Sequence, residues 1–193
     1  MYILGIHTGH DAGACLFADD TLVAFCKEER LNRVKNDGGF FNLQSVDEVL
    51  RIAGIGRQQV DAVAFTRMKF PVSCFKSSVL GFQDMRRKVL GQQRERSLAT
   101  LMIKQKNLDP AAFLDFAKLR AYMGLRADVA LHFSNHHRAH VLSSLRYSDW
   151  ADDFLLVSCD GGGDAAQYSA YRFANQQLEQ LWGGDETLLD QPQ

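Results

Sequence analysis

At 193 residues, 46% of them hydrophobic, the chain can bury one good core and begin a second. Its 22 basic and 23 acidic residues nearly cancel, so overall charge steers it toward neither nucleic acid nor a membrane surface. No stretch approaches the ~20 apolar residues of a membrane span, and Met1 to His7 lacks the positive leading region of a signal peptide.

Cys15, Cys26, Cys74 and Cys159 are scattered and form neither a disulfide framework nor a zinc ribbon, which fits a reduced, cytoplasmic setting. The first predicted unit is a strand Tyr2 to His7, a turn at Thr8-Gly9-His10, a strand Ala12 to Phe17, a turn at Asp19-Asp20 and a strand Leu22 to Lys27. Short apolar runs split by Gly and Asp predict an antiparallel meander. If the last strand persists, Glu28 and Glu29 point to opposite faces, and one pairs with Arg30 or Arg33. Ser45-Val46-Asp47-Glu48 then reads as a capping box ahead of an amphipathic helix that Gly54 stops, and Asp61 to Phe65 as the next strand.

Residues 80 to 125 read as helical. Leu98, Leu101 and Met102 stand at helical spacing, and Asp109 with Pro110 opens a segment whose Phe113, Phe116, Leu119 and Met123 form a packing stripe. Between Arg67 and Lys106 there are ten Lys or Arg against two acids, a local excess that could meet RNA. Only three aromatics accompany it, Phe70, Phe75 and Phe82, so a nucleic-acid partner is disfavoured. Val129 to Phe133 is a further strand, and Asn135 can cap the helix that follows.

That helix opens with His136-His137-Arg138-Ala139-His140. One turn apart, His136 and His140 share a face and can converge on one metal ion or one phosphate. Zinc-protease chemistry needs Glu after the first histidine, and position 137 is His. No further ligand lies in the local segment, so any others must come from elsewhere. His137, off the shared face, either donates a hydrogen bond behind the ligands or lines the site. His7 and His132 fall in strands and read as core residues or supports behind the site.

Phe154 to Cys159, the turn Asp160-Gly161-Gly162-Gly163-Asp164-Ala165 and a strand to Phe173 repeat the layout of the first seventeen residues at an offset of 153. Gly9, Asp11 and Ala12 fall on Gly162, Asp164 and Ala165. Such turns suit phosphate, because glycine lets backbone N–H groups approach its oxygens. Two of them facing each other would clamp a nucleotide, and the repeat predicts a duplicated fold.

Four segments in order, Gly9-His10-Asp11-Ala12-Gly13-Ala14, Glu28-Glu29-Arg30-Leu31-Asn32-Arg33-Val34-Lys35, the histidine run, and Asp160-Gly161-Gly162-Gly163-Asp164, resemble the O-carbamoyltransferase family of nodulation-factor and aminoglycoside biosynthesis. The resemblance implies an α/β fold: an actin/sugar-kinase-like, ribonuclease H-like lobe with a mixed sheet and flanking helices, plus the opening strands of a second duplicated lobe. It is also similar to the metalloprotein that installs threonylcarbamoyl on tRNA. It implies a first lobe over 1–150 and the first strands of the second over 151–193. The implied reaction is ATP-dependent transfer of a carbamoyl group from carbamoyl phosphate, through a carbamoyl-adenylate, to a hydroxyl of a small-molecule acceptor.

On the same resemblance His136 and His140 bind Fe(2+) or another divalent metal, and His10 and Lys35 act on the carbamoyl-adenylate or its proton. Gly9, Asp11, Arg33, Asp160, Gly161, Gly162, Gly163 and Asp164 hold substrate and phosphates. Members of the family continue through the rest of lobe two, which supplies a further acidic ligand, and into a domain that makes the adenylate. The chain therefore reads as a fragment of the enzyme, inactive alone, with a homodimer through its orphan hairpin as the corollary. The alternative is a non-catalytic nucleotide-binding or RNA-contacting module of the actin-like ATPase superfamily.

Overall fold

The computed structural model describes residues 1–38, 44–67, 69–91, 94–149, 152–164 and 166–183. Three antiparallel strands lead, β1 (Tyr2–His7), β2 (Gly13–Ala18) and β3 (Thr21–Lys27). They form the expected meander, with Tyr2 opposite Ala18 and His7 opposite Gly13. Asp19 turns the chain at φ 51°, a conformation Asp tolerates better than most residues.

Strand β3 stops at Lys27, and Glu28 and Glu29 open a short helix, α1 (Glu28–Asn32). Glu28 is buried, and its Oε1 accepts hydrogen bonds from the Ser45 N–H at 2.8 Å and hydroxyl at 2.6 Å. Glu29 stays nearer solvent, with Oε1 3.8 Å from Lys27 Nζ and 3.7 Å from Arg30.

The capping box is overturned: α2 (Gln44–Ala53) already includes Ser45, whose hydroxyl serves Glu28, while Glu48 pairs with Arg51 at 2.7 Å. Val46, Val49 and Leu50, at helical spacing, form its buried face. Gly54, at φ 69°, ends the helix as expected.

Next come β4 (Ala62–Phe65), β5 (Lys69–Pro71), α3 (Phe82–Val89), β6 (Glu95–Ser97), α4 (Leu98–Gln105), α5 (Pro110–Phe113) and α6 (Phe116–Met123). The region 80–125 is thus not continuously helical. Strand β6 pairs with β5, Phe70 opposite Arg96, and Asp115 caps α6 after a break at Leu114. Phe113, Leu119 and Met123 are buried, so the stripe is packing. Asp109 caps α5 by accepting the Ala111 N–H, with Pro110 in the first turn.

The chain closes with β7 (Ala130–Phe133), α7 (His136–Arg146), β8 (Phe154–Gly163), β9 (Ala166–Ala174) and β10 (Gln177–Trp182). One mixed sheet runs β3-β2-β1-β4-β7, with β1, β4 and β7 parallel, and a second, antiparallel sheet runs β10-β9-β8. Leu4, Ile6, Leu16, Val63 and Phe65 bury one face of the first sheet within the core that includes α2. Phe133 lies stacked between Phe65 and Phe116, each 5.4 Å away, pairs worth about 0.5–1.5 kcal/mol beyond their area. A smaller core joins Val141 of α7 to Leu156 and Tyr171 of the second sheet.

Candidate active site

Strands β1, β4 and β7 run parallel, so their carboxyl ends lie along one sheet edge, where α/β folds collect ligands. Past β1 comes the first turn, with Gly9 at φ 92° and Asp11 at φ 60°, both in the left-handed region. Past β4 come Thr66 and Arg67, and past β7 comes α7. Asn135 caps that helix by accepting the His137 N–H at 2.9 Å, a contact worth about 1 kcal/mol. The predicted second turn, Asp160 to Ala165, is corrected: β8 runs on through Gly163, so Asp160 and the three glycines belong to the strand and Asp164 follows it. Gly162, at φ 125°, and Asp164, at φ 48°, repeat the backbone signs of Gly9 and Asp11; Ala165 lies outside the described residues.

The end of β8 and the residue just past it meet the histidine helix. His136 Nε2 stands 2.6 Å from Asp160 Oδ2 and 3.2 Å from His140 Nε2, and His140 Nε2 lies 3.6 Å from the same carboxylate oxygen. Donors bonded to one ion at about 2.1 Å stand about 3 Å apart, so this spacing suits a shared cation. Asp164 is buried, and its Oδ2 accepts the His136 N–H at 2.9 Å. The end of β8 thus supplies a carboxylate beside the imidazoles, and Asp164, just past that strand, an anchor for the start of their helix.

His137 faces away. Fully buried, it places Nδ1 3.0 Å from Ser158 Oγ and Nε2 2.9 Å from the Ala166 carbonyl oxygen, tying α7 to β8 and β9. Burial lowers its pKa. His7 is half-buried at the end of β1, with Nδ1 3.0 Å from Thr66 Oγ1 and Nε2 3.1 Å from the His10 carbonyl. Burial first, then the neighbouring His136, lowers its pKa to about 4. His132, expected in the core or behind the site, is instead exposed, on β7 at the edge of the sheet.

A cavity of about 800 Å³ gathers His10, Asp11, Arg67, His136, His140 and Asp160 along its lining, with Gly162 beside them. Asp11 Oδ2 holds His10 Nδ1 at 2.7 Å while its Oδ1 accepts from Lys27 Nζ at 2.9 Å, and that hydrogen bond keeps the carboxyl below its usual range. Lys35 and Arg33 are exposed on the loop after α1 and are not among the residues lining this cavity. That loop does meet the first turn, where the Ala12 N–H donates to the Asp37 carbonyl at 3.0 Å.

Arg67 escaped sequence reasoning as a site residue because only the parallel pairing of β1 with β4 brings it beside Gly9. Three basic residues of the same stretch are engaged elsewhere: Arg94 and Arg96 face Asp84, and Lys88 donates to the Phe75 carbonyl at 2.7 Å. Phe70 and Phe75 are buried in the core rather than offered for base stacking.

The family model of the carbamoyltransferase N-terminus matches residues 2–183. The chain belongs to that family. Within the carbamoyltransferase N-terminal match lie all four segments that carried the resemblance. Nodulation protein NolNO of Sinorhizobium fredii is 28% identical over 158 residues, which are 81% of this chain and 20% of that protein. An uncharacterized protein of Synechocystis is 26% identical over 187 residues, 94% of this chain and 29% of the relative. The chain therefore spans between a fifth and three tenths of the length of these relatives. Among solved structures, YeaZ from Pseudomonas aeruginosa is similar at a TM-score of 0.46 and 12% identity, over 94% of this chain and 64% of that one. No helix among the described residues is long and apolar enough to cross a membrane.

Proposed function

We propose that this carbamoyltransferase N-terminal chain carries the metal- and phosphate-facing wall of an ATP-dependent O-carbamoyltransferase. The enzyme moves a carbamoyl group from carbamoyl phosphate, through carbamoyl-adenylate, to a hydroxyl of a small acceptor. One observation carries the reading: the first turn, the histidine helix and the end of β8, far apart in sequence, line one cavity. Two separate cores support a division into a first lobe and the opening of a second, proposed over 1–150 and 151–193, although α7, inside 1–150, packs into the second core. Four unpaired cysteines support a reducing, cytoplasmic setting.

Two imidazole nitrogens and one carboxylate oxygen within 4.8 Å of one another form a donor set that suits a divalent ion, iron(II) among them. His136, His140 and Asp160 would hold it. When bound, such an ion supplies Lewis acidity toward a carbonyl or phosphoryl oxygen. The other work falls to the protein. Asp11, itself held by Lys27, orients His10 through Nδ1 and leaves Nε2 to take the proton of the acceptor hydroxyl. The acceptor oxygen bonds the carbamoyl carbon as the carbon–oxygen bond to phosphate breaks, and AMP leaves. The first turn and the glycine-rich end of β8 offer N–H groups to the phosphate.

The test supplies the full protein bearing this chain with ATP, labelled carbamoyl phosphate and a panel of hydroxylated acceptors. Label on an acceptor with AMP formed is the expected result, and His10→Ala lowers the rate about 100-fold or more. A metal-loaded protein that forms no AMP and transfers no label would overturn the proposal.

A further inference from the structure

We infer that Arg67 is the phosphate-reading side chain of the cavity, its guanidinium binding the phosphoryl oxygens of the donor. The inference rests on the carbamoyl-transfer reading for the identity of that donor, and on the structure for everything else.

Arg67 stands two residues past the end of β4, beside the turn that follows β1. Its backbone is fixed there, since the buried Thr8 hydroxyl lies 3.4 Å from the Arg67 carbonyl and 3.3 Å from that of Lys69. The side chain lies flat against Gly9. A Cβ built on Gly9 would stand 3.1 Å from Arg67 Cδ and Nε and 3.2 Å from Cζ, so the bare glycine is what lets the two pack as one wall.

The charge of that wall is not neutralised from within. Among the described residues no carboxylate lies within ion-pair distance of Arg67, and its Nε is shielded from solvent with no hydrogen-bond partner. The carboxylates that line the same cavity are engaged elsewhere, Asp11 with Lys27 and His10, Asp160 with His136. A buried donor left unpaired costs about 1–3 kcal/mol, more when charged, so the guanidinium is held there short of a counter-charge. The planar guanidinium suits two phosphate oxygens at once, which an ammonium cannot match. Phosphate could arrive on carbamoyl phosphate or on a nucleotide, and the chemistry recognised is the same.

The full protein bearing this chain is titrated by calorimetry with inorganic phosphate, AMP and adenosine, with and without a divalent ion, as wild type, Arg67→Met and Arg67→Lys. Arg67→Met is expected to bind phosphate and AMP at least tenfold more weakly with adenosine unchanged, and Arg67→Lys to fall between. A loss confined to AMP assigns the nucleotide as the source, and a loss of both assigns the phosphoryl group itself. Far-UV circular dichroism confirms folding, and Arg67→Lys keeps the test valid if Arg67→Met does not fold. Equal phosphate and AMP binding by wild type and both variants overturns the inference. Failure of the wild type to retain a metal, with Arg67-dependent phosphate binding intact, counts against the carbamoyl-transfer reading alone.

Discussion

His136 Nε2 and Asp160 Oδ2 lie 2.6 Å apart although one opens the helix after the first sheet and the other belongs to the first strand of the second. The contact is one edge of a three-donor cluster completed by His140. Replacing His136, His140 or Asp160 by Ala is expected to weaken binding of Co(2+), used as a visible probe, by at least about tenfold, the smallest loss typical even of outer partners. Absorption titrations read this, and an Asp160→Ala protein with wild-type affinity would remove Asp160 from the set.

Ser45 supplies two donors to one oxygen of the buried Glu28, whose Oε2 has no partner among the described residues. Ser45→Ala deletes the hydroxyl and is expected to cost about 1–3 kcal/mol, lowering the melting temperature by roughly 2–4 °C per kcal/mol. A melt within a degree of wild type would show that the helix shifts to compensate.

At Gly9, φ 92° and the Arg67 side chain both oppose a methyl group. Gly9→Ala should therefore cost about 1–2 kcal/mol from the backbone alone. Urea midpoints measure the cost, and a variant as stable as wild type would mean the turn can rearrange.

Acid should loosen the fold through His7. Its folded pKa near 4 lies below the ordinary 6.5, so between these values the unfolded chain holds a proton that the folded chain lacks. Stability is full above about pH 6.5 and declines toward pH 4, by at most about 3 kcal/mol from this residue. His137, also lowered by burial, acts in the same direction, so the measurement is the difference in pH slope between wild type and His7→Gln. Identical slopes would dismiss His7 as the cause.

Much of the site was legible because its signals are local. Gly9 and Asp11 announce a left-handed turn between strands, Asp164 the bend after β8, and Asn135 the start of the histidine helix. What escaped depends on pairing across long stretches of chain. Ser45 looks like a cap until Glu28, 17 residues earlier, takes its hydroxyl. The three-residue β6 is hidden among helix formers and exists because β5 pairs with it. Asp160 read as a phosphate contact, because nothing in its neighbourhood tells that β8 delivers it to His136.

The placement of α7 has a thermodynamic corollary. Its first turn bears two of the three donors, its middle is packed into the second core, and the third donor rides on the adjoining strand. With an ion held there as proposed, its affinity would gauge how closely the two sheets are drawn together. A ligand that bridges them tightens the ion, and by reciprocity the ion tightens that ligand by the same factor.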